Sequence, residues 1–436
     1  MKIAADRSFG WRLLVITLVT LVSAEFVECN AAEGLTGKLV VGYQGWFGCP
    51  NDFEGNKEWQ HWFVRGMGPD HMRVDLLPSV RRLDAKDLCE TGLPRAGKPG
   101  TVKLFSSQNP NVVNSHFHWM QDAGIDGAAV QRFMFALPDP TKLRRNDHVL
   151  SNVRAAAEAT KRVFFLVYDV SGAKPETVVA DLRADWKHLV NDLKIIDSPA
   201  YLRDHGKPVL ELWGFGFDSR PGTPEEVRAL IQDLKEGKNG LAATTLIGGI
   251  PSHWRALDGD SRPDDAWAKI YRSFDVISPW AVGRFTDEPS EAAFLHGIVA
   301  GDLAETERLG IGYLPVIYAG FSWQNLQRNQ NNKSGFMLNQ IPRRCGQFLW
   351  GQVSDLLAQR VGMLYAAMFD ELDEGTALLP AETREDMLPA GSHMVYLNQD
   401  GCSLPDDWYL RVTGKAAQFL HEGRVPPRTL KDVISP

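Results

Sequence analysis

The chain has 436 residues, 44% hydrophobic and 23% charged, with a formal net charge of -7. Acidic and basic residues are interspersed and no basic stripe occurs, which argues against a nucleic-acid partner. Five cysteines are present, and their spacing matches no zinc motif.

The first residues read MKIAADRSFGWRLLVITLVTLVSA. Lys2, Arg7 and Arg12 form a positive start, Leu13 to Val22 form a short apolar run, and small Ser23 and Ala24 follow. This is the pattern of a secretory signal peptide, assigned to residues 1–31 and too short for a comfortable membrane span. A signal anchor is the alternative. Glu28 stands where a lipoprotein box wants a small residue before Cys29. The expectation is therefore a secreted or periplasmic protein, free of the membrane once the signal is removed. Nothing in the sequence reads on the oligomeric state.

Beyond the leader, short β-rich runs recur, each followed by polar or aromatic residues and then a helical stretch. In chain order they are KLVVGY to Tyr43, DGAAVQRF to Phe133, VFFLVYD to Asp169, and KPVLELWG to Gly214. TTLIGGIP to Pro251, FDVISPW to Trp280, IGYLPVIY to Tyr318 and GMLYAAMFDE to Glu371 complete the set. Between them lie amphipathic helices such as NVVNSHFHWMQDAG and PEEVRALIQDLKEG, each closed by a glycine, Gly124 and Gly237. Eight apolar strands alternating with helices predict a parallel sheet buried on both faces and closed as a (β/α)8 TIM barrel, an α/β fold in one domain over residues 32–436. An open doubly wound sheet is the alternative, but GFGF at Gly214 to Phe217 lacks the third glycine of a dinucleotide fingerprint.

From Trp46 to about Asn114 the chain is rich in Gly, Pro, Asp and Arg and has little periodicity. This long insertion between strands 1 and 2 is expected over the C-terminal mouth of the barrel, because loops of that length generally serve a site. Cys49, Cys89, Cys345 and Cys402 allow three pairings or free buried thiols. Cys49 and Cys89 both lie in the insertion and are expected to bond. Cys345 and Cys402 flank strand 8 and form the other expected pair. Asn51, Asp52 and Glu54 leave a calcium site open beside the commoner reading of hydrated loop groups; no metal ligand is assigned and no cofactor is expected.

Active sites of such barrels lie at the C-terminal ends of the strands. Strand ends 1 to 4 supply Tyr43, Gln44, Trp46, Gln131, Arg132, Tyr168, Asp169 and Trp213. The later ends supply His253, Trp254, Arg255, Trp280, Arg284, Tyr318 and Trp323. Strand 8 runs into MFDELDEGT, with Asp370, Glu371, Asp373 and Glu374 in five positions. Aromatic faces cover the C–H patches of a sugar while carboxylates and amides bind its hydroxyls. Glycoside hydrolysis uses two carboxyl groups, and neighbouring carboxyls push their pKa values apart so that one stays protonated. The reading is a carbohydrate-cleaving enzyme. In the competing reading Asp370 and Asp373 are structural, pairing with Arg132 or Arg284.

HFHWMQDAGIDGAAVQRF, YLRDHGKPVLELWGFGF and MFDELDEGT resemble the barrel of glycoside hydrolase family 99 and its 71/99-like relatives, from about Val40 to Thr376. The family carries Glu-Trp-His-Glu at strand 8, preceded by Phe-Asn and followed by Gly-Thr. Phe369 to Thr376 fits that frame, with Leu372 and Asp373 in place of the ring pair. The resemblance implies a retaining α-mannosidase route through a 1,2-anhydro sugar. Glu371 would take the proton of the sugar 2-OH, and Glu374 would be the acid for the leaving group and then the base for water. Two alternatives carry different predictions. One is a secreted carbohydrate-binding barrel without turnover. The other is a conventional pair of Glu211, inward-facing on strand 4, with Glu371.

Overall fold

The structure, a computed structural model, describes residues 33–329 and 336–436. The signal-peptide reading of residues 1–31, and Cys29 with it, falls outside the described residues. Eight parallel strands form one closed sheet. They are β1 (Leu39–Tyr43), β2 (Gly127–Phe133), β3 (Val163–Asp169), β4 (Lys207–Trp213), β5 (Thr245–Ile250), β6 (Val276–Pro279), β7 in two pieces (Gly312–Tyr313 and Val316–Tyr318), and β8 (Leu364–Ala367). The first piece of β7 pairs with β6 and the second pairs with β8, while β8 pairs with β1, so the ring is complete. The predicted strands and their order agree with these elements. The strand 8 run was expected to reach Glu371; the ladder ends at Ala367, and the four acids lie in the turn beyond it.

Strand cores such as Leu39–Tyr43 and Val163–Tyr168 are buried at every position. That is why they read as continuous apolar runs: barrel side chains fill one face and helices cover the other. Helix boundaries follow from local chemistry. In α1 (Pro110–Ala123) the Asn109 side chain accepts the Asn111 N–H, proline fills the first turn, and Gly124 ends the helix at φ 78°. The insertion is therefore shorter than the Asn114 boundary expected, because this cap starts the helix at Pro110. Pro224–Glu236 opens with a full capping box between Thr223 and Glu226 and closes at Gly237.

The insertion contains an antiparallel hairpin of Leu88–Pro94 with Thr101–Phe105. It docks at the C-terminal end of the barrel. The backbone N–H groups of Asp75 and Leu76 both donate to the carbonyl of Leu372, at 3.0 and 3.1 Å. The buried Asp75 carboxylate accepts from Ser322 Oγ at 2.5 Å, Gln324 N at 2.8 Å and Asn325 N at 2.7 Å. Asp52 is committed to its own loop, accepting from Cys49 N, Ser106 Oγ and Asn56 Nδ2.

Both expected disulfides are present, Cys49–Cys89 and Cys345–Cys402. The first spans 40 residues and ties the start of the insertion to its hairpin. Chain-entropy reasoning for a loop of that size gives about 4 kcal/mol, at the top of the roughly 2–4 kcal/mol that bridges typically contribute. The double variant Cys49→Ser/Cys89→Ser is expected to lose an amount in that range, measured by denaturant unfolding against the unmutated protein under non-reducing conditions. A change below about 0.5 kcal/mol would mean the cap holds its shape without the bridge.

Candidate active site

The four crowded acids after β8 divide into two pairs. Asp370 is fully buried and turned toward β1: its carboxylate accepts Gln44 N at 2.7 Å and Gly45 N at 2.9 Å. Asp373 is also buried and forms an ion pair with Arg73 of the insertion at 3.3 Å. Glu371 and Glu374 instead line one cavity of about 520 Å³. The turn carrying them is fixed along its length. Ser322 N donates to the Glu374 carbonyl at 2.8 Å, and Ala377 N donates to that of Glu371 at 3.1 Å. The buried Arg343 guanidinium donates to the carbonyls of Gly375 and Ala377 at 2.7 and 2.8 Å.

Strand geometry sorts the remaining candidates, because successive side chains on a strand point to opposite faces. Trp46, Gln131, Asp169, Trp213 and Trp280 line the cavity with the two glutamates, as does Gln44. Their neighbours of opposite parity, Tyr43, Arg132 and Tyr168, do not, and neither do Trp254, Tyr318 and Trp323. Tyr43 is buried against α1, its hydroxyl 3.0 Å from His116 Nδ1. Arg132 is buried in ion pairs with Asp185 and Asp147, and the Tyr168 hydroxyl donates to the same Asp185 at 2.6 Å. The Tyr318 hydroxyl donates to the carbonyl of Phe285 in the loop after β6. Trp254 is fully buried under the guanidinium of Arg272. Trp323 packs on Phe321 and Phe336. Substrate contact by Tyr43, Arg132, Tyr168, Trp254, Tyr318 and Trp323 is thus not what the structure provides, and Asp370 holds backbone instead. Asp370 and Asp373 do not pair with Arg132 or Arg284; Arg284 is 2.6 Å from Asp260.

Sequence reasoning missed part of the lining. Phe133 and Phe135 follow Gln131, and the loop after β4 contributes Phe217, Asp218, Ser219 and Arg220. The signal was available for Phe133, which shares the parity of Gln131. The loop residues had none, since no period applies outside a strand. The two walls are aromatic. Trp46 stacks on Phe133 at 5.0 Å on one side, and Trp213 meets Phe217 at 5.2 Å and Trp280 at 5.3 Å on the other. Gly249 makes this wall possible: a Cβ there would lie 2.3 Å from Trp213 Cδ1 and 2.8 Å from Glu211 Oε1.

Burial sets the electrostatics. Glu371 is 7% exposed, and its carboxyl is pushed well above the usual range by desolvation, then by repulsion from Glu374 and Asp373, while a hydrogen bond with the Gln44 side chain opposes the shift. Glu374 is raised to about 8 by desolvation and by the charges of Asp373 and Asp169, against the opposing pull of Arg220. Desolvation also raises Asp169 and carries Asp370 to about 7. Beneath the cavity Glu211 is raised to about 8 by desolvation and Asp169. Burial and mutual repulsion thus disfavour ionising both glutamates together, so that one can hold a proton for general acid chemistry while the other is ionised. Among the described residues no cluster of three His, Cys, Asp or Glu side chains is arranged to hold a metal ion.

The fold has solved counterparts. The chain is similar to the GH99 endo-alpha-mannosidase from Bacteroides thetaiotaomicron, with a TM-score of 0.63 at 16% identity, covering 90% of this chain and 100% of that one. The same enzyme in complex with BIS-TRIS-propane gives 0.62 at 17% identity, covering 89% and 98%. No family model matches the chain, and no curated protein matches it. At these identities the likeness shows the fold.

Carboxyls whose folded pKa is raised bind more protons folded than unfolded, so stability is highest below the unfolded value and falls as pH rises toward the folded one. Glu211 is raised to about 8 from 4.5, so its contribution declines across that window. The thermal midpoint is expected to drop between about pH 5 and pH 8, and Glu211→Gln is expected to reduce that drop. Parallel pH profiles of the two proteins in calorimetry would mean that Glu211 is ionised as easily folded as unfolded.

Proposed function

We propose that the protein is a glycoside hydrolase that cleaves an oligo- or polysaccharide with Glu371 and Glu374. One observation carries this reading. Of four adjacent acids, two are committed to backbone amides and to an arginine, while the other two face a cavity walled by tryptophan and phenylalanine. Such a cavity suits the apolar faces of a sugar ring, and paired carboxyls suit cleavage of its glycosidic bond. The shared fold with the Bacteroides thetaiotaomicron enzyme supports it. The two disulfides support an oxidising compartment, and with the pattern from Lys2 to Ala24 they support export.

The finer reading assigns the two glutamates different roles. Glu371 is the base. It acts in its ionised form, which burial, Glu374 and Asp373 disfavour, and which the Gln44 side chain and a sugar 2-OH donating to the same carboxylate favour. The 2-OH proton passes to Glu371, the 2-oxygen attacks the anomeric carbon, and the bond from that carbon to the leaving oxygen breaks. Glu374, kept protonated by burial, Asp373 and Asp169, gives its proton to the leaving oxygen. In the second step Glu374 takes a proton from water, the water oxygen attacks the anomeric carbon, and the 1,2-anhydro ring opens. The 2-oxygen then regains its proton from Glu371, and both side chains return to their starting states. A conventional pair using Glu211 is disfavoured because Glu211 is 2% exposed and lies beneath the cavity lining.

Glu374→Gln is expected to slow cleavage of natural glycans on the order of a hundred- to ten-thousand-fold. The loss should be smaller for nitrophenyl glycosides, whose leaving group needs little protonation. Glu371→Gln is expected to impair all substrates alike, and a 2-deoxy glycoside should be inert to the unmutated enzyme. Normal turnover of the 2-deoxy substrate would exclude the anhydro-sugar route. Glycan binding that survives both substitutions, with no product from any substrate, would identify a binding protein instead.

A further inference from the structure

The cavity contains two cations, and they differ in how they are matched. Arg284 is bound by Asp260 at 2.6 Å. Arg220 lines the same cavity, and no carboxylate lies within 4.0 Å of it among the described residues. Its hydrogen bonds do not neutralise it: Nη1 reaches only the neighbouring Ser219 hydroxyl at 3.2 Å, and Nε is buried without a partner. The guanidinium rests over the Trp213 ring, with Cζ 5.8 Å from the centroid. Its loop is held from behind, since Arg262 donates to the Arg220 carbonyl and Arg220 N donates to the Phe217 carbonyl.

A cation with an unused buried donor is an incomplete hydrogen-bonding arrangement. The cavity's own acids do not complete it. Asp260 is taken by Arg284, and Asp169 and Glu374 feel the field of Arg220 without forming an ion pair with it. Neither comes within ion-pair distance of the guanidinium, so among the described residues its charge has no direct partner in the cavity. Asp218 is exposed at the rim. A sugar seated beside Trp213 in the cavity brings its substituents toward the Arg220 fork. Guanidinium donors match a carboxylate or sulfate in paired, charge-assisted bonds that a hydroxyl cannot equal.

We propose that Arg220 is a specificity-determining residue that reads an anionic substituent, a uronate carboxylate or a sulfate ester, on the sugar seated against Trp213. The proposal rests on the cavity being a carbohydrate site, and it narrows the substrate class to acidic glycans.

The test is isothermal titration of Glu371→Gln, which leaves bound sugar uncleaved, with backbone-matched oligosaccharides that are neutral, uronate-bearing or sulfated. The acidic member of a matched pair is expected to bind on the order of tenfold more tightly than its neutral partner. Raising salt from about 50 to about 500 mM should shrink the ratio. Adding Arg220→Met should bring the ratio near one. Arg220→Lys, which keeps the charge without the fork, should retain preference for sulfate better than for carboxylate. Circular dichroism and thermal melting of each variant identify any that fails to fold. Equal affinity for neutral and acidic partners, absence of binding by every acidic member, or an unchanged ratio in a folded Arg220→Met protein would overturn the proposal. The unmutated protein is assayed for product in parallel. Acid-selective binding without cleavage would sink the hydrolase reading and leave this one standing, whereas cleavage without acid selectivity would do the reverse.

Discussion

The carboxylate of Asp370 holds the site together. It accepts two consecutive backbone N–H groups, from Gln44 and Gly45, and so joins the turn after the last strand to the loop after the first. These are the two ends of the chain that must meet for the barrel to close. Both amides are buried, and a buried amide without a partner costs about 1–3 kcal/mol. One side chain satisfies two such groups. It also fixes the peptide preceding Glu371, so the direction of that glutamate is set by the same contact that seals the ring. Glu374 is then set three residues on, its carbonyl held by Ser322 N and the next carbonyls held by Arg343.

The insertion completes what the barrel begins. Its Asp75 bonds the loop after β7, and its Asp75 and Leu76 amides bond Leu372 within the acidic turn. Arg73 sits beside Asp373, placing a positive charge where four acids would otherwise repel without relief. Burial still raises all four carboxyls, and repulsion adds to it at Asp370, Glu371 and Glu374, but the cation and the backbone donors limit the rise at Asp373 and Asp370. Glu371 and Glu374 receive less of that compensation and remain the groups most ready to exchange protons with a ligand. This division of one acidic run into two restrained and two responsive members is a property of the cap as much as of the barrel.

Space in the interior is allocated by small residues. A Cβ at Gly42 would lie 2.4 Å from the Tyr365 hydroxyl, and one at Gly249 would collide with Trp213. Absent side chains on β1 and β5 thus let large ones from β4 and β8 cross the barrel. Tyr365 reaches the Gln131 amide at 3.1 Å, forming a polar floor under the aromatic walls.

Much of this was legible in the sequence for a definite reason. A parallel strand buried on both faces must be apolar throughout, so eight strands and their order followed from eight runs such as VFFLVYD. Helix ends at Gly124 and Gly237 followed from capping chemistry that acts within a few residues, whereas the starting caps at Asn109 and Thr223 were seen only in the structure. The insertion and the cysteines within it stood out as a departure from period, and the glutamate pair stood out through its frame. Tertiary structure decided the rest, because it turned on which way a side chain points and what meets it from far along the chain. Tyr43 and Gln44 are adjacent, yet one packs on a helix and the other faces the cavity. Asp370 and Glu371 are adjacent acids with opposite fates, settled by amides more than 300 residues earlier. Arg220 carried no periodic signal at all; only the closing of the barrel set its unpaired charge across from Glu374, since a charge acts through space and not along the sequence.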